Sequence, residues 1–309
     1  MPTTRQSSPR DPTIHGILLV DKAQGWTSHD AVAKTRGITR QRKIGHTGTL
    51  DPMATGLLVL CLGDATRLVE YMTGHDKRYE GEITLGVATD TDDAEGSVIR
   101  EHSVPAIDSD TLRGLARRFT GVQLQRPPAY SAVKIAGKRA YAVARAGGDV
   151  EIAPREVRVF AIELRPTAPD RLAVSVHCGP GTYIRSLARD IGEVLGCGAH
   201  LSELRRTSVG RFSVSEARSL DEVASLVAAG GLEEALWSPD EGIVDYAAAI
   251  VDERHAASLA HGAVIMEDGW RCDDPAKLRI YDAAGSFRGV GYMDELGAIR
   301  PLKVLANAR

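Results

Sequence analysis

The run Leu57-Leu58-Val59-Leu60-Cys61-Leu62, set between Gly56 and Gly63, limits the possible folds more than any other stretch of the chain. Successive side chains of an extended segment point to opposite faces, so an unbroken apolar run of this length reads as a strand buried on both faces. Two more segments alternate cleanly. Tyr79, Gly81, Ile83, Leu85 and Val87 fall on one side while Glu80, Glu82 and Thr84 fall on the other, and Leu172, Val174, Val176 and Cys178 repeat the pattern. Both read as half-buried strands. GILLVDK (16–22) reads as a further short strand.

Helical signals lie between these strands. Ile184, Leu187, Ala188, Ile191 and Leu195 form one apolar stripe, so Thr182 to Leu195 is predicted helical, with GPG before it and Gly196 after it. Ser28 is predicted to cap a helix over about 29–40, and ATRLVEYM (65–72) reads as a short helix. Some neighbouring strands look hairpin-connected. The fold class is therefore α+β, a mixed and largely antiparallel sheet with flanking helices. Residues 216–246 are acidic and rich in Ala and Gly and read as a helix followed by a linker; residues 247–309 carry short alternating segments separated by Gly and Asp turns and read as a small β-rich domain.

With 309 residues and 43% hydrophobic content, the chain has material for a real core in one large domain or two modest ones. No apolar run reaches membrane-spanning length. MPTTRQSSPRDPT lacks an apolar h-region and reads as a disordered polar tail. Cys61, Cys178, Cys197 and Cys272 are scattered, with no C-x-x-C pair, which argues against a zinc site or disulfide framework and fits a reducing cytoplasm. A monomer is expected, since no heptad or broad exposed apolar stripe is evident.

The net charge is −3, but the cations are segregated. Residues 34–43 hold Lys34, Arg36, Arg40, Arg42 and Lys43 without an acid, and residues 111–148 hold Arg113, Arg117, Arg118, Arg126, Lys134, Lys138, Arg139 and Arg145, again without one. Such segments can make a positive face on a mildly acidic protein. Charge alone fits two solvated helices; with Tyr130, Tyr141 and the PPAYSAVK loop it favours RNA contact.

Residues 45–52 read GHTGTLDP. Pro52 holds Asp51 on a constrained, extended backbone, and Leu50 can anchor the loop in a core. A carboxylate presented in this way can be a nucleophile, although the same residues alone fit ordinary turn chemistry. GHTGTLDP, preceded by Lys43 and followed by ATG at 54–56, resembles the catalytic loop of the bacterial tRNA pseudouridine synthases that act on uridine 55 of the T arm. Four more blocks resemble that family in order: GILLVDKAQGWTSHDAV (16–32), RYEGEITLGVATDTDDAEG (78–96), RPPAYSAVKIAGKRAYAVARAG (126–147) and GPGTYIRSLARDIGEVLGCGAHLSELRRTSVG (179–210). In the first, Ala23 stands where the family usually has proline, which weakens one turn and touches no catalytic group. Past residue 215 the resemblance fades.

The resemblance implies the pseudouridine synthase fold over residues 15–245, after a disordered tail at 1–14, with an RNA-gripping insertion at about 120–150 and a PUA-like domain at 246–309. It implies no cofactor and no metal, and a tRNA partner held by its T arm. Asp51 matches the catalytic aspartate, Tyr79 the active-site tyrosine that stacks on a flipped base, and Arg185 the arginine that pairs with the aspartate. His46, Tyr183 and Leu204 match substrate-contacting positions. Lys22, Lys43, Arg126, Lys134, Lys138, Arg139, Arg205 and Arg206 are the expected RNA contacts.

Read without the family, a lone tyrosine or leucine on a strand is ordinary core, and Arg185 in the first turn of a helix is a surface cation or an anion contact. DTDDAEG (90–96) begins like a calcium loop, but Ala94 and Glu95 stand at a ligand position and at the turn glycine. GPGTY lacks the Lys-Ser/Thr of a P-loop. Two rival readings remain. An aspartate-nucleophile hydrolase needs a second acid two residues on and usually magnesium, and Pro52-Met53 supplies no acid. A non-enzymatic RNA-binding module would use the basic segments without Asp51.

Overall fold

A computed structural model describes residues 14–131, 134–135, 138–139, 152–266 and 275–305. The predicted tail up to residue 13, Tyr141 and Cys272 lie outside them. Ile14 does not belong to the tail: it packs on the core, and its carbonyl accepts a bond from Gln41 Nε2 at 3.0 Å.

The elements run β1 (Gly16–Lys22), α1 (Ser28–Thr39), β2 (Ile44–His46), β3 (Thr55–Leu62), α2 (Val69–Met72), β4 (Lys77–Leu85), β5 (Val87–Thr89), β6 (Val98–Glu101), α3 (Ser109–Arg118) and β7 (Gly121–Gln125). After these come the short pair β8 (Lys134–Ile135) and β9 (Lys138–Arg139), then β10 (Arg155–Ala168), β11 (Arg171–Cys178), α4 (Ile184–Leu195), β12 (Ala199–Val209), β13 (Phe212–Ser213), α5 (Leu220–Ala228) and β14 (Leu236–Trp237). The C-terminal part adds β15 (Ala247–Val251), α6 (Glu253–Ala260), β16 (Ala276–Asp282), β17 (Phe287–Met293) and β18 (Ile299–Val304).

One ten-stranded sheet organises the chain, with the path β14-β1-β3-β12-β4-β11-β10-β7 and with β2 and β13 paired beside β3 and β12. All its pairs are antiparallel except β3 with β12. The apolar run of β3 lies inside the sheet, between β1 and β12, and is buried on both faces, as its sequence demands. Leu58, Leu60, Ile83 and Val174 face a layer holding Ala31 and Val32 of α1, Leu112 and Leu115 of α3, Leu187, Ala188 and Ile191 of α4, and Val223 of α5. Leu57, Val59 and Cys61 face the other way, against Leu68, Met72 and, from the C-terminal part, Phe287, Val290 and Leu305. Truncating one such leucine to alanine costs about 2–5 kcal/mol. The C-terminal part is β-rich, a four-stranded sheet in the order β15-β16-β17-β18.

Three local expectations are corrected. Thr27, not Ser28, caps α1: its hydroxyl accepts from Asp30 N at 3.0 Å and Asp30 answers on Thr27 N at 3.0 Å, a reciprocal capping box that frees Ser28 for a buried role. Residues 63–68 form a 3₁₀ turn, and only Val69–Met72 is α-helical. The segment read as a linker is built in: Leu236 and Trp237 pair with Leu18 and Ile17 at the sheet edge.

Candidate active site

β2 and β3 are antiparallel, with His46 opposite Leu60, so residues 47–54 form the loop that joins them. Each side of Asp51 is pinned. Leu50 is buried, and Ser28 Oγ both accepts from Leu50 N at 2.8 Å and donates to Leu50 O at 3.1 Å. Pro52 O accepts from Gly25 N at 2.8 Å and from Lys22 Nζ at 3.4 Å. Ala54 N closes a turn onto Asp51 O at 3.1 Å. The loop exit passes against β12 so closely that a Cβ on Gly56, at φ 96°, would stand 2.3 Å from Arg206 O; only glycine fits there.

Arg206 supplies the floor of the loop. It is fully buried, and its guanidinium donates to Leu57 O at 2.7 Å, Gly48 O at 3.1 Å and Thr49 O at 3.3 Å. Lys22 is also fully buried, and its ammonium donates to Trp26 O at 2.7 Å and Ala23 O at 3.0 Å as well as to Pro52 O. Burial lowers its pKa to about 8, with the Asp51 charge as the first opposing effect. Lys22 and Arg206 are expected from the sequence to contact RNA; here both are buried, and they donate to main-chain carbonyls that shape the loop. Sequence reasoning missed this because charge type does not reveal which carbonyls the fold brings near.

Arg185 meets Asp51 from α4. Its Nε lies 2.9 Å from Asp51 Oδ2, as an ion pair and not an aligned hydrogen bond. Its Nη1 donates to Asp93 Oδ2 at 3.1 Å and to Thr91 O at 3.1 Å, and its Nη2 to Tyr130 O at 3.0 Å. Side-chain exposure is 5% for Arg185 and Asp93 but 35% for Asp51, so one carboxylate is sealed and the other opens to solvent. Burial raises the pKa of Asp51, opposed first by Arg185 and reinforced by the Asp93 charge. Asp93 was missed in the sequence. It stands in DTDDAEG, the loop set aside as a failed calcium motif, and the density of acids there was the available signal. Thr91 Oγ1 and Glu95 N satisfy its other oxygen, at 2.6 and 3.1 Å, and neighbouring Asp92, at φ 62°, pairs with Arg189 at 2.8 Å.

Tyr79 lies on β4 between Val176 of β11 and Arg206 of β12. It is partly buried against the core, and burial raises its phenol pKa; the Arg206 charge opposes this and the Asp51 charge adds to it. Two residues along, buried Leu204 pairs with Gly81. Tyr183 is the N-cap residue of α4, and burial, then the Asp51 charge, raises its phenol pKa. His46 ends β2 with Nδ1 buried and unpartnered, edge-to-face with His29 at 5.8 Å. Burial lowers its pKa, as do the His29 and Arg206 charges, so it is neutral near pH 7.

The remaining cations are dispersed. Lys43 is exposed and pairs with Asp64 at 2.9 Å. Arg126 is exposed, with its carbonyl turned to α4. Arg205 is partly exposed and grips both oxygens of Asp21, at 3.0 and 2.6 Å. Lys134, Lys138 and Arg139 lie on β8 and β9, and their side chains fall outside the description.

A part-exposed carboxylate beside a buried guanidinium, with two phenols whose pKa values its charge helps to raise, can when ionised add to an electrophile and hold a developing charge without a redox partner. Residues 36–184 match the TruB family pseudouridylate synthase (N terminal domain), residues 185–240 the tRNA pseudouridylate synthase B C-terminal domain, and residues 247–305 the Pseudouridine synthase II TruB, C-terminal, domain. The chain is 44% identical over 296 residues to tRNA pseudouridine synthase B of Xanthomonas campestris pv. campestris strain 8004, covering 94% of each chain. It is 47% identical over 217 residues to that of Arthrobacter sp. strain FB24, covering 68% of this chain and 71% of the relative. Among solved structures, one titled as a Cbf5-Nop10-Gar1 complex superposes with a TM-score of 0.71 at 26% identity, over 94% of this chain and 84% of the other. By identity carried along nearly its whole length, the chain belongs to the TruB family of pseudouridylate synthases.

Proposed function

We propose that this chain isomerises uridine 55 in the T loop of tRNA to pseudouridine, with Asp51 as the nucleophile acting on a base turned out of the stack. The observation that carries the reading is the pinned loop that presents Asp51 to solvent 2.9 Å from a buried Arg185. The reaction breaks a C–N glycosidic bond and makes a C–C bond between the same base and sugar. No atom is lost and no electron changes hands, so a carboxylate, a proton acceptor and a closed pocket suffice.

A base stacked within the folded RNA cannot reach Asp51, so the nucleotide is flipped, and Tyr79 stacks on it from β4. Asp51 adds to the base or to the anomeric carbon. Arg185 favours the charged form of the carboxylate, against the burial that raises its pKa. The Tyr79 phenol is protonated at neutral pH and available to relay the proton released from carbon. Neutral His46, Tyr183 and Leu204 contact the target nucleotide. Lys43, Arg126, Arg205 and the β8–β9 residues Lys134, Lys138 and Arg139 meet phosphates, and the C-terminal β-rich part serves as a PUA-type RNA-binding domain. The enzyme works as a monomer in the cytoplasm, without cofactor or metal.

The test is conversion of an unmodified tRNA transcript by the purified chain with chelator present, with pseudouridine mapped along the RNA. Pseudouridine at position 55, and none in a transcript carrying cytidine there, is expected. Modification elsewhere overturns the site, and no modification overturns the activity.

A further inference from the structure

α4 carries the guanidinium that faces Asp51, yet no side chain of its own caps its first turn. The cap comes from across the sheet. Gln125, the last residue of β7 and 2% exposed, holds the main chain of Tyr183 with both ends of its amide. Its Nε2 donates to Tyr183 O at 3.0 Å, and its Oε1 accepts from Tyr183 N at 2.8 Å. A side-chain amide thus does the work of the next strand's peptide group, just where Pro127 and Pro128, which have no N–H, end the ladder.

The segment after it continues the grip. Arg126 O accepts from Ser186 Oγ at 2.8 Å and from Arg189 Nη2 at 3.0 Å, and Tyr130 O accepts from Arg185 Nη2 at 3.0 Å. Residues 125–130 therefore form a strap against the first turns of α4. In chain order the next strand after the strap is β8. Within the strap itself only Gln125 grips by its side chain, so its contribution can be removed by substitution without rebuilding the backbone.

Resting on the proposed isomerase reading, we infer that Gln125 is a positioning residue: by fixing Tyr183 it sets the angle at which α4 delivers Arg185 to Asp51. Gln125 touches neither the reacting base nor the carboxylate, and its effect passes through Tyr183 and Arg185.

Two variants test this, measured with the parent on unmodified tRNA by single-turnover pseudouridine formation, tRNA affinity and thermal melting. Gln125→Met keeps the length and loses both bonds. Its single-turnover rate is expected to fall about 10²-fold, as misplacement of a catalytic group by about 1 Å does. Its tRNA affinity is expected to stay within about threefold, because phosphate contacts elsewhere dominate binding. Gln125→Glu keeps the shape but, when ionised, lacks the donor to Tyr183 O. A protonated carboxyl regains it, so the ratio of variant to parent rate is expected to rise as pH falls from about 8 toward about 5. A Met-variant rate within about threefold of the parent overturns the inference. So does an equal loss of rate, affinity and melting temperature, which marks general unfolding, or a Glu-variant ratio that is flat with pH. A parent that leaves uridine unchanged overturns the isomerase reading and this inference with it; an active parent with unaffected variants overturns the inference alone.

Discussion

Arg185 stands between two carboxylates, with Nε 2.9 Å from Asp51 Oδ2 and Nη1 3.1 Å from Asp93 Oδ2. Asp93 is sealed and Asp51 is open, so the buried acid anchors the cation and leaves its outer edge for the reactive one. Replacing Arg185 with leucine strands Asp93 in the interior, and breaking a buried pair in this way costs about 3–5 kcal/mol. Urea unfolding is expected to show that loss together with abolished isomerisation. Arg185→Lys retains the charge, but one compact ammonium cannot span Asp51, Asp93, Thr91 O and Tyr130 O as the planar guanidinium fork does, and the variant is expected to restore part of the stability and little of the rate. Unchanged stability in the leucine variant would contradict this account of the triad.

The pH profile follows from Asp51. Its carboxyl must be ionised to attack, and burial raises its pKa, so the acid limb of the single-turnover rate is expected above the ordinary carboxylate value of about 3.9. The sign for stability is opposite. Between the ordinary and the raised value the folded chain holds this proton more firmly than the unfolded chain, so the contribution of Asp51 to stability declines as pH rises through that window. Subtracting the unfolding free energy of Asp51→Asn, which cannot ionise, from that of the parent at each pH isolates this slope; a difference that grows with pH would contradict it.

Lys22 gives a second titration at the other end of the scale. The unfolded chain keeps this proton to its ordinary value of 10.5, and the folded chain releases it at about 8. The unfolded state therefore binds more protons between these values, and stability from Lys22 rises with pH across them. The stability difference between the parent and Lys22→Met is expected to move in favour of the parent over that range. A flat difference would mean that the three carbonyls fully offset the burial of the ammonium.

The sequence carried the parts of the fold that repeat locally. The double-sided run of β3, the alternation of β4 and β11 and the stripe of α4 each follow from spacing along a single element. The triad and the loop scaffold were harder, because their logic is long-range. Nothing near Asp93 announces a guanidinium from α4, and Ser28 looked like a cap because its bond to Leu50 exists only once the loop has folded back. Lys22 and Arg206 looked like surface cations because a cage of carbonyls has no sequence signature. Leu236 and Trp237 looked like a linker because a two-residue edge strand is too short to show a period.

The basic hairpin is tested by salt. Changing Lys134, Lys138 and Arg139 to alanine removes up to three phosphate contacts, and the slope of log affinity against log salt is expected to flatten by about 2–3, at roughly 0.7–0.9 per contact. An unchanged slope would take β8 and β9 out of the RNA interface.

The most direct measurement is single-turnover conversion of tRNA by Asp51→Asn, beside its tRNA affinity and its melting temperature. The asparagine has the shape of the carboxylate but cannot act as a nucleophile. The expected result is a folded variant that binds tRNA like the parent and forms no pseudouridine above the enzyme-free level. Conversion at a rate within about tenfold of the parent, barely 1.4 kcal/mol of barrier, would contradict the central claim that this carboxylate performs the chemistry.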